Sequence, residues 1–206
     1  MTQLLIHVAD NNEEVSKETK FGGKPSSPNG ALEWPVCKCC KGNMQFLGQL
    51  RTPESENMLL LFMCQNDPGS CDEWDPNGGG NAVVVIEDSK LSLVQPPQQG
   101  ETTRNIRHGV KFVEHENNDY DASRAAWALT NGVSPREVLG QLGGTPAWIQ
   151  GEETPTCDFC GEAMQFVAQL EQGPDWKTDM NFGGGGCAYV FQCSCNESSA
   201  KMLWQC

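Results

Sequence analysis

Two thiols spaced C-x-x-C, followed by a strand and then a second pair of thiols, are the usual opening of a tetrahedral metal site. The chain contains this arrangement twice. Pro35-Val36-Cys37-Lys38-Cys39-Cys40-Lys41-Gly42-Asn43-Met44-Gln45-Phe46-Leu47-Gly48-Gln49-Leu50 returns 120 residues later as Pro155-Thr156-Cys157-Asp158-Phe159-Cys160-Gly161-Glu162-Ala163-Met164-Gln165-Phe166-Val167-Ala168-Gln169-Leu170. Each copy then carries a strand-like run that ends in a cysteine, Cys64 or Cys193, with one more behind it, Cys71 or Cys195. The ligand sets read from the repeat are therefore Cys37, Cys40, Cys64 and Cys71, and Cys157, Cys160, Cys193 and Cys195. Four protein ligands leave no open position, so two structural zinc ions are expected; an iron–sulfur centre or free thiols are the alternatives.

Other chemistry has less support. A lone C-x-x-C could be a redox pair, but two copies with a second pair each argue against it. His7, His108 and His115 fall into no nucleophile–base–acid pattern and show no metal spacing with the cysteines, so surface or packed roles are expected for them. Asp75-Pro76-Asn77-Gly78-Gly79-Gly80 and Gly183-Gly184-Gly185-Gly186 precede strand-like segments without a Gly-Lys-Ser/Thr helix start, which makes them turns and not phosphate loops. Cys39, Cys187 and Cys206 are left over. The repeat favours Cys40 over Cys39, and the three are expected as buried small side chains, or an exposed terminal thiol for Cys206.

The elements that must position these thiols are mostly strands. Met1 to Val8, Met44 to Leu50, Met58 to Met63, Ala82 to Ile86, Leu91 to Val94, Val110 to Val113, Met164 to Leu170 and Ala188 to Gln192 all have strand character. A hairpin joining the strand after each knuckle to the strand before the second pair would bring four thiols together. Gly22-Gly23 and Gly143-Gly144, each ahead of a proline, predict matching positive-φ turns. In both knuckles a glycine at or near the residue after the second cysteine, Gly42 or Gly161, is expected to ease the turn. Ser134-Pro135-Arg136-Glu137 is a capping box that predicts a short helix to about Gln141. A second helix is expected over residues 122–129, and residues 114–121 should form an acidic, solvated segment.

The formal charge is −13 over 206 residues, with 14 Lys+Arg against 27 Asp+Glu. Thiolate zinc centres would add about −2 each. Such a surface repels phosphate backbones, so nucleic acid is not an expected partner; it suits a basic protein partner or serves solubility. Mean hydropathy is −0.48, and no apolar run approaches the ~18 residues of a membrane span, so no membrane partner is expected. The start has no basic region or cleavage site, and eleven cysteines without an export signal fit reduced thiols in the cytoplasm.

The ordered set Gly-Gly-x-Pro, Trp-Pro or Thr-Pro, C-x-x-C, Met-x-Phe-x-x-Gln-Leu and a strand ending in Phe-x-Cys resembles the YwqG-like family. It is also similar to the C-terminal domain of the programmed cell death protein 2 family. Gly143-Gly144-Thr145-Pro146-Ala147-Trp148-Ile149-Gln150-Gly151 and Met180-Asn181-Phe182-Gly183-Gly184 before Tyr189-Val190-Phe191 carry the resemblance best. It implies a β-rich duplicated fold and transfers no catalytic residue. The programmed cell death relatives imply a chaperone-like role toward a basic ribosomal protein, although the separate zinc-finger insertion of the longer relatives is missing here.

The expected fold is mainly β, α+β with few short helices: two similar antiparallel modules packed into one globular unit, each with a four-cysteine metal site. The expected division is 1–95 for the first module, 96–140 for connecting strands and helices, and 141–206 for the second. The expected function is a zinc-stabilised protein-binding module, chaperone-like toward a basic client. The alternative is an enzyme with its site in the groove between the repeats.

Overall fold

The structure is a computed structural model that describes residues 2–9, 15–52, 57–115, 117, 119–195 and 198–206. It is mainly β. In chain order the elements are β1 (Thr2–Ala9), β2 (Lys20–Gly23), β3 (Ser26–Pro28), β4 (Gln45–Arg51), β5 (Asn57–Met63), β6 (Asn81–Glu87), β7 (Leu91–Leu93), β8 (Arg104–His115), α1 (Tyr120–Asn131), β9 (Val138–Leu142), β10 (Gln165–Glu171), β11 (Cys187–Gln192) and β12 (Ala200–Gln205). Strands β3 and β7 form a small two-stranded sheet. Among the described residues no helix is long and apolar enough to cross a membrane.

The other ten strands form one antiparallel sheet in the order β12-β11-β10-β9-β1-β8-β2-β4-β5-β6. Its outer strands, β6 and β12, approach each other, so the sheet curls into a nearly closed barrel. The order reads alike from both ends: β2-β4-β5-β6 mirrors β9-β10-β11-β12. Even the irregularities repeat, because the pairing register slips between Phe46 and Gly48 and again between Phe166 and Ala168. A bulge of this kind bends a strand, and two equivalent bends help the sheet close.

The two halves exchange their first strands. β1 pairs with β9, the second strand of the other half, while β8 pairs with β2. β1 and β8 meet in the middle with Thr2 opposite His115 and Ala9 opposite His108. The stretch 96–140 thus supplies a central strand of the sheet, and each half begins one strand before the recognisable repeat.

Burial on both faces explains the continuous apolar run of β5. Leu59, Leu61 and Met63 enter the main core with Leu5, Phe21 and Leu139, whereas Met58, Leu60 and Phe62 pack on the other face with Cys37, Cys64 and Cys71. β11 does the same: Ala188 and Val190 point inward, and Tyr189 and Phe191 lie outside with Cys157 and Cys193. Alternation along a strand sends successive side chains to opposite faces, so both thiol clusters sit on the outside of the sheet. Buried Gln49 and Gln169, again 120 residues apart, hold neighbouring loops. Gln49 Nε2 donates to the carbonyls of Ser16 and Glu18, both at 2.8 Å, and Gln169 Oε1 accepts from Ala147 N at 2.8 Å.

Two expectations change. The helix expected from Ser134 to Gln141 is a single 3-10 turn, Pro135–Glu137, followed by the fully buried strand β9. The Ser134 cap forms, but Val138 to Leu142 gain more by completing the sheet between β1 and β10, and Gly140 takes a φ of 141° that a helix cannot use. α1 runs beyond the expected 122–129, because Asp119 Oδ1 caps it by accepting from Ala122 N and Gly132 closes it at φ 65°. The acidic stretch 114–121 is divided between β8 and α1, with Glu116 and Asn118 outside the described residues. Of the expected first strand, Met1 also lies outside them, and β12 was not among the strands expected from sequence.

Candidate metal centres

Both knuckles are the same tight hairpin. Cys37 N donates to Gly42 O at 2.9 Å and Lys41 N to Cys37 O at 3.0 Å; Cys157 N donates to Glu162 O and Gly161 N to Cys157 O, each at 2.8 Å. Isolated bridges, Val36 to Asn43 and Thr156 to Ala163, close each loop. The glycine expectation holds for one copy only. Gly161 takes the left-handed conformation at φ 75°, but its counterpart is Lys41 at φ 61°, and Gly42 has a negative φ. A Cβ at Gly42 would lie 2.5 Å from Asn66 Nδ2, so the exposed Asn66 amide, which donates to Asn43 O and Cys64 Sγ, would have to shift.

All eight cysteines of the two sequence-derived sets converge as expected. Within each quartet, Cys37, Cys40, Cys64 and Cys71 or Cys157, Cys160, Cys193 and Cys195, every sulfur lies within 4.8 Å of the others. Sulfur–sulfur distances are 3.6 Å for Cys40–Cys64, 3.7 Å for Cys160–Cys193, 3.8 Å for Cys157–Cys195 and 3.0 Å for Cys193–Cys195. None is a disulfide: all eleven cysteines are free. In the first cluster Cys37, Cys64 and Cys71 are buried and Cys40 is exposed; in the second Cys157 and Cys193 are buried and Cys160 and Cys195 exposed. Both clusters are compatible with a bound metal ion.

Backbone and neighbouring amides face the sulfurs. Gly42 N donates to Cys40 Sγ at 3.4 Å, and Asn66 Nδ2 to Cys64 Sγ at 3.5 Å; in the second cluster Phe159 N donates to Cys157 Sγ at 3.4 Å and Cys195 N to Cys193 Sγ at 3.3 Å. The Gly42 amide lowers the Cys40 thiol to about 7, and the Cys160 amide, helped by that of Phe159, lowers Cys157 to about 6. Burial pushes Cys64 and Cys71 up, and the Cys193 thiol beside it pushes Cys195 up. A packed set of thiols resists a second and third negative charge, which is the disagreement a cation resolves.

The remaining cysteines behave differently from one another. Cys187 is buried, with its thiol pushed up to about 12 by burial and by Glu171, to which it donates at 3.4 Å. Cys39 is exposed, contrary to the buried role expected, because the knuckle turns it outward toward Ser70 O at 3.7 Å. Cys206 is exposed, as expected.

The two clusters are tied together at the seam between β6 and β12. Lys201 Nζ donates to Asn77 Oδ1 at 2.6 Å, in the loop behind Cys71, and to Asp158 Oδ1 at 2.8 Å, inside the second knuckle. Trp74 and Trp204 meet edge to face across the same seam, 6.2 Å between centroids. At the opposite side of the barrel the structure joins residues that sequence reasoning left apart. His7 Nδ1 lies 2.7 Å from Glu137 Oε2, and His7 Nε2 lies 3.0 Å from His108 Nδ1. Separations of 101 and 130 residues leave no linear motif to find.

No family model matches the chain. A stretch of 33 residues is 57% identical to a Salmonella typhimurium protein called uncharacterized protein YpfL. That stretch is 16% of this chain and 8% of the relative, so the chain covers only a small part of the protein it is similar to.

Proposed function

We propose that the chain is a protein-binding module of the YwqG-like kind, held by two structural zinc ions. The sulfur spacing carries this reading. Zinc binds thiolate at about 2.3 Å, which sets tetrahedral sulfurs about 3.8 Å apart; three of the four separations given above are 3.6, 3.7 and 3.8 Å. Two thiols lowered by backbone amides, one per cluster, give each site a first thiolate to capture the ion. Four cysteines per ion leave no position for substrate, so the ions stabilise the fold.

The binding role rests on charge. A net −13, made more negative by two four-thiolate centres, attracts a basic protein and disfavours nucleic acid. A chaperone-like role toward such a client in the cytoplasm follows from the family resemblance together with this charge. Elemental analysis against thiol titration tests the metal half: two zinc per chain are expected with two readily reactive thiols, Cys39 and Cys206, while the buried Cys187 reacts only on unfolding. Co-purification at low and high salt tests the client half, and the absence of any basic protein enriched at low salt would defeat it.

The second reading, an enzyme with its site between the repeats, is favoured by one observation. The contacts linking Glu137, His7 and His108 involve the two central strands, where the halves of the sheet meet.

A further inference from the structure

The second pair of thiols is spaced differently in the two copies. Six residues separate Cys64 from Cys71, and one separates Cys193 from Cys195. The longer segment of the first copy meets the second copy beside the seam, where the two enclose a half-open cavity of about 190 Å³. Gln65, Pro68, Gly69 and Glu73 line it from one copy, and Asn181, Gly183 and Trp204 from the other. Pro68, Gly69, Asn181 and Gly183 are exposed at its mouth, whereas Glu73 is only 2% exposed. The volume is below the ~300 Å³ at which pockets begin to hold drug-sized molecules, so it is the size for a single side chain.

The walls are one-sided in their chemistry. No Lys, Arg or His lines the cavity. Glu73 forms no ion pair among the described residues. Its Oε1 accepts from Gly69 N at 3.1 Å and its Oε2 from Cys71 N at 3.4 Å. Each carboxylate oxygen accepts more than one hydrogen bond, so capacity remains on both. A buried negative charge held only by neutral donors also lacks a counter-charge. Gln65 gives Nε2 to Cys64 O at 2.9 Å, and its Oε1 has no partner among the described residues. The exposed Asn181 carboxamide has none among them either. Trp204 and Pro68 add apolar surface. Gly183 lets the indole close in, since a Cβ there would lie 2.8 Å from Trp204 Cζ3.

We propose that this cavity takes the ammonium end of a lysine side chain from a basic protein partner. An ammonium carries three N–H donors and no acceptor. The walls answer it with the Glu73 carboxylate and the carboxamide oxygens of Gln65 and Asn181. The methylene stem of the lysine lies along Trp204 and Pro68, as long cationic side chains cover apolar surface while their charged head stays with polar groups. Glu73 repels a carboxylate and gives an uncharged side chain no ionic contact. The inference rests on the basic-client reading and adds which client residue is gripped, and where. It also gives the extra length between Cys64 and Cys71 a use, because the short Cys193–Cys195 spacing leaves no room for an equivalent wall in the second copy.

The test is titration of the full, metal-loaded chain at pH 7.5 with Nα-acetyl-lysine amide, read by the indole ¹H–¹⁵N resonances, with the Nε-acetylated form as control. Salt at about 0.15 M confines the pull of distant surface charge to about 8 Å. The expected result is a saturable shift of the Trp204 resonance at one ligand per chain, with the Nε-acetylated form at least tenfold weaker. Asn181→Leu and Glu73→Gln should each weaken binding at least tenfold with zinc content unchanged. If Glu73→Gln fails to fold, the wild-type resonance and Asn181→Leu decide. An unmoved Trp204 resonance, equal binding of the Nε-acetylated form, or Asn181→Leu binding as tightly as wild type would each overturn the proposal. Co-purification at low salt separates it from the reading beneath it. Basic protein captured equally by wild type and Asn181→Leu would strike the cavity and leave the client reading standing, whereas weaker capture by the variant supports both.

Discussion

Lys41 and Gly161 occupy the same place in the two knuckles, and both hold the left-handed conformation, at φ 61° and 75°. A residue with a Cβ is strained there by roughly 1 kcal/mol, and glycine is not. Gly161→Ala should therefore cost about 1 kcal/mol, although a Cβ there meets nothing within 4 Å. Lys41→Gly should raise stability or leave it level, despite losing the Lys41 Nζ bond to Lys38 O. Paired thermal melts of the zinc-loaded protein check both signs, and equal losses in the two variants would contradict the assignment.

Replacing a buried cluster cysteine should remove one ion and no more. Cys37→Ser or Cys193→Ser is expected to reduce zinc from two per chain to one. Each should destabilise by several kcal/mol, since a structural Zn²⁺ site contributes on the order of 10 kcal/mol. Cys39→Ser should leave two zinc in place, because the outward-facing thiol lies outside the quartet. Metal content of the three purified variants decides this.

Lys201 should matter more than its partner Asp158. Lys201 is 9% exposed at the side chain and Asp158 is 76% exposed. Lys201→Met keeps the stem but leaves Asn77 and Asp158 without their shared donor, at a cost of about 1–2 kcal/mol. Asp158→Ala breaks a solvent-exposed pair worth under about 1 kcal/mol. Urea titration of the two variants measures the difference.

Stability should fall as pH drops from about 6.5 to about 4, in part through His108. The folded state holds this imidazole neutral to about 4, while the unfolded chain takes up a proton near the ordinary value of 6.5. Between these limits the unfolded state binds more protons, so acid favours unfolding, by an amount on the order of 2 kcal/mol at the lower limit. His108→Gln should flatten the slope in that window. A slope unchanged by the substitution would show that His108 is not the group responsible.

Local patterns were legible wherever the cause is local. The two C-x-x-C knuckles, the paired strands β4–β5 and β10–β11, the Gly22-Gly23 and Gly143-Gly144 turns and the thiol quartets all follow from the repeat, because spacing and turn chemistry act over a few residues. The segment Val138 to Leu142 misled for the same reason: a good cap at Ser134 is a local signal, and the sheet overrode it. The repeat itself held the correction, since Leu142-Gly143-Gly144 aligns with Phe21-Gly22-Gly23 and so with β2. Ala200 to Gln205 is hard to read as a strand with both faces covered, because Lys201 stands where alternation implies a surface. In the structure that lysine is buried against the seam.

The residues alone determined that there are two alike β modules and which eight thiols belong together, because metal ligation and hairpin closure need only short-range geometry. Only the tertiary structure decided the exchange of β1 and β8, the seam closed by Lys201, and the meeting of His7 with His108 and Glu137. Those contacts depend on where distant strands settle when their apolar faces are buried together, and no local spacing encodes that.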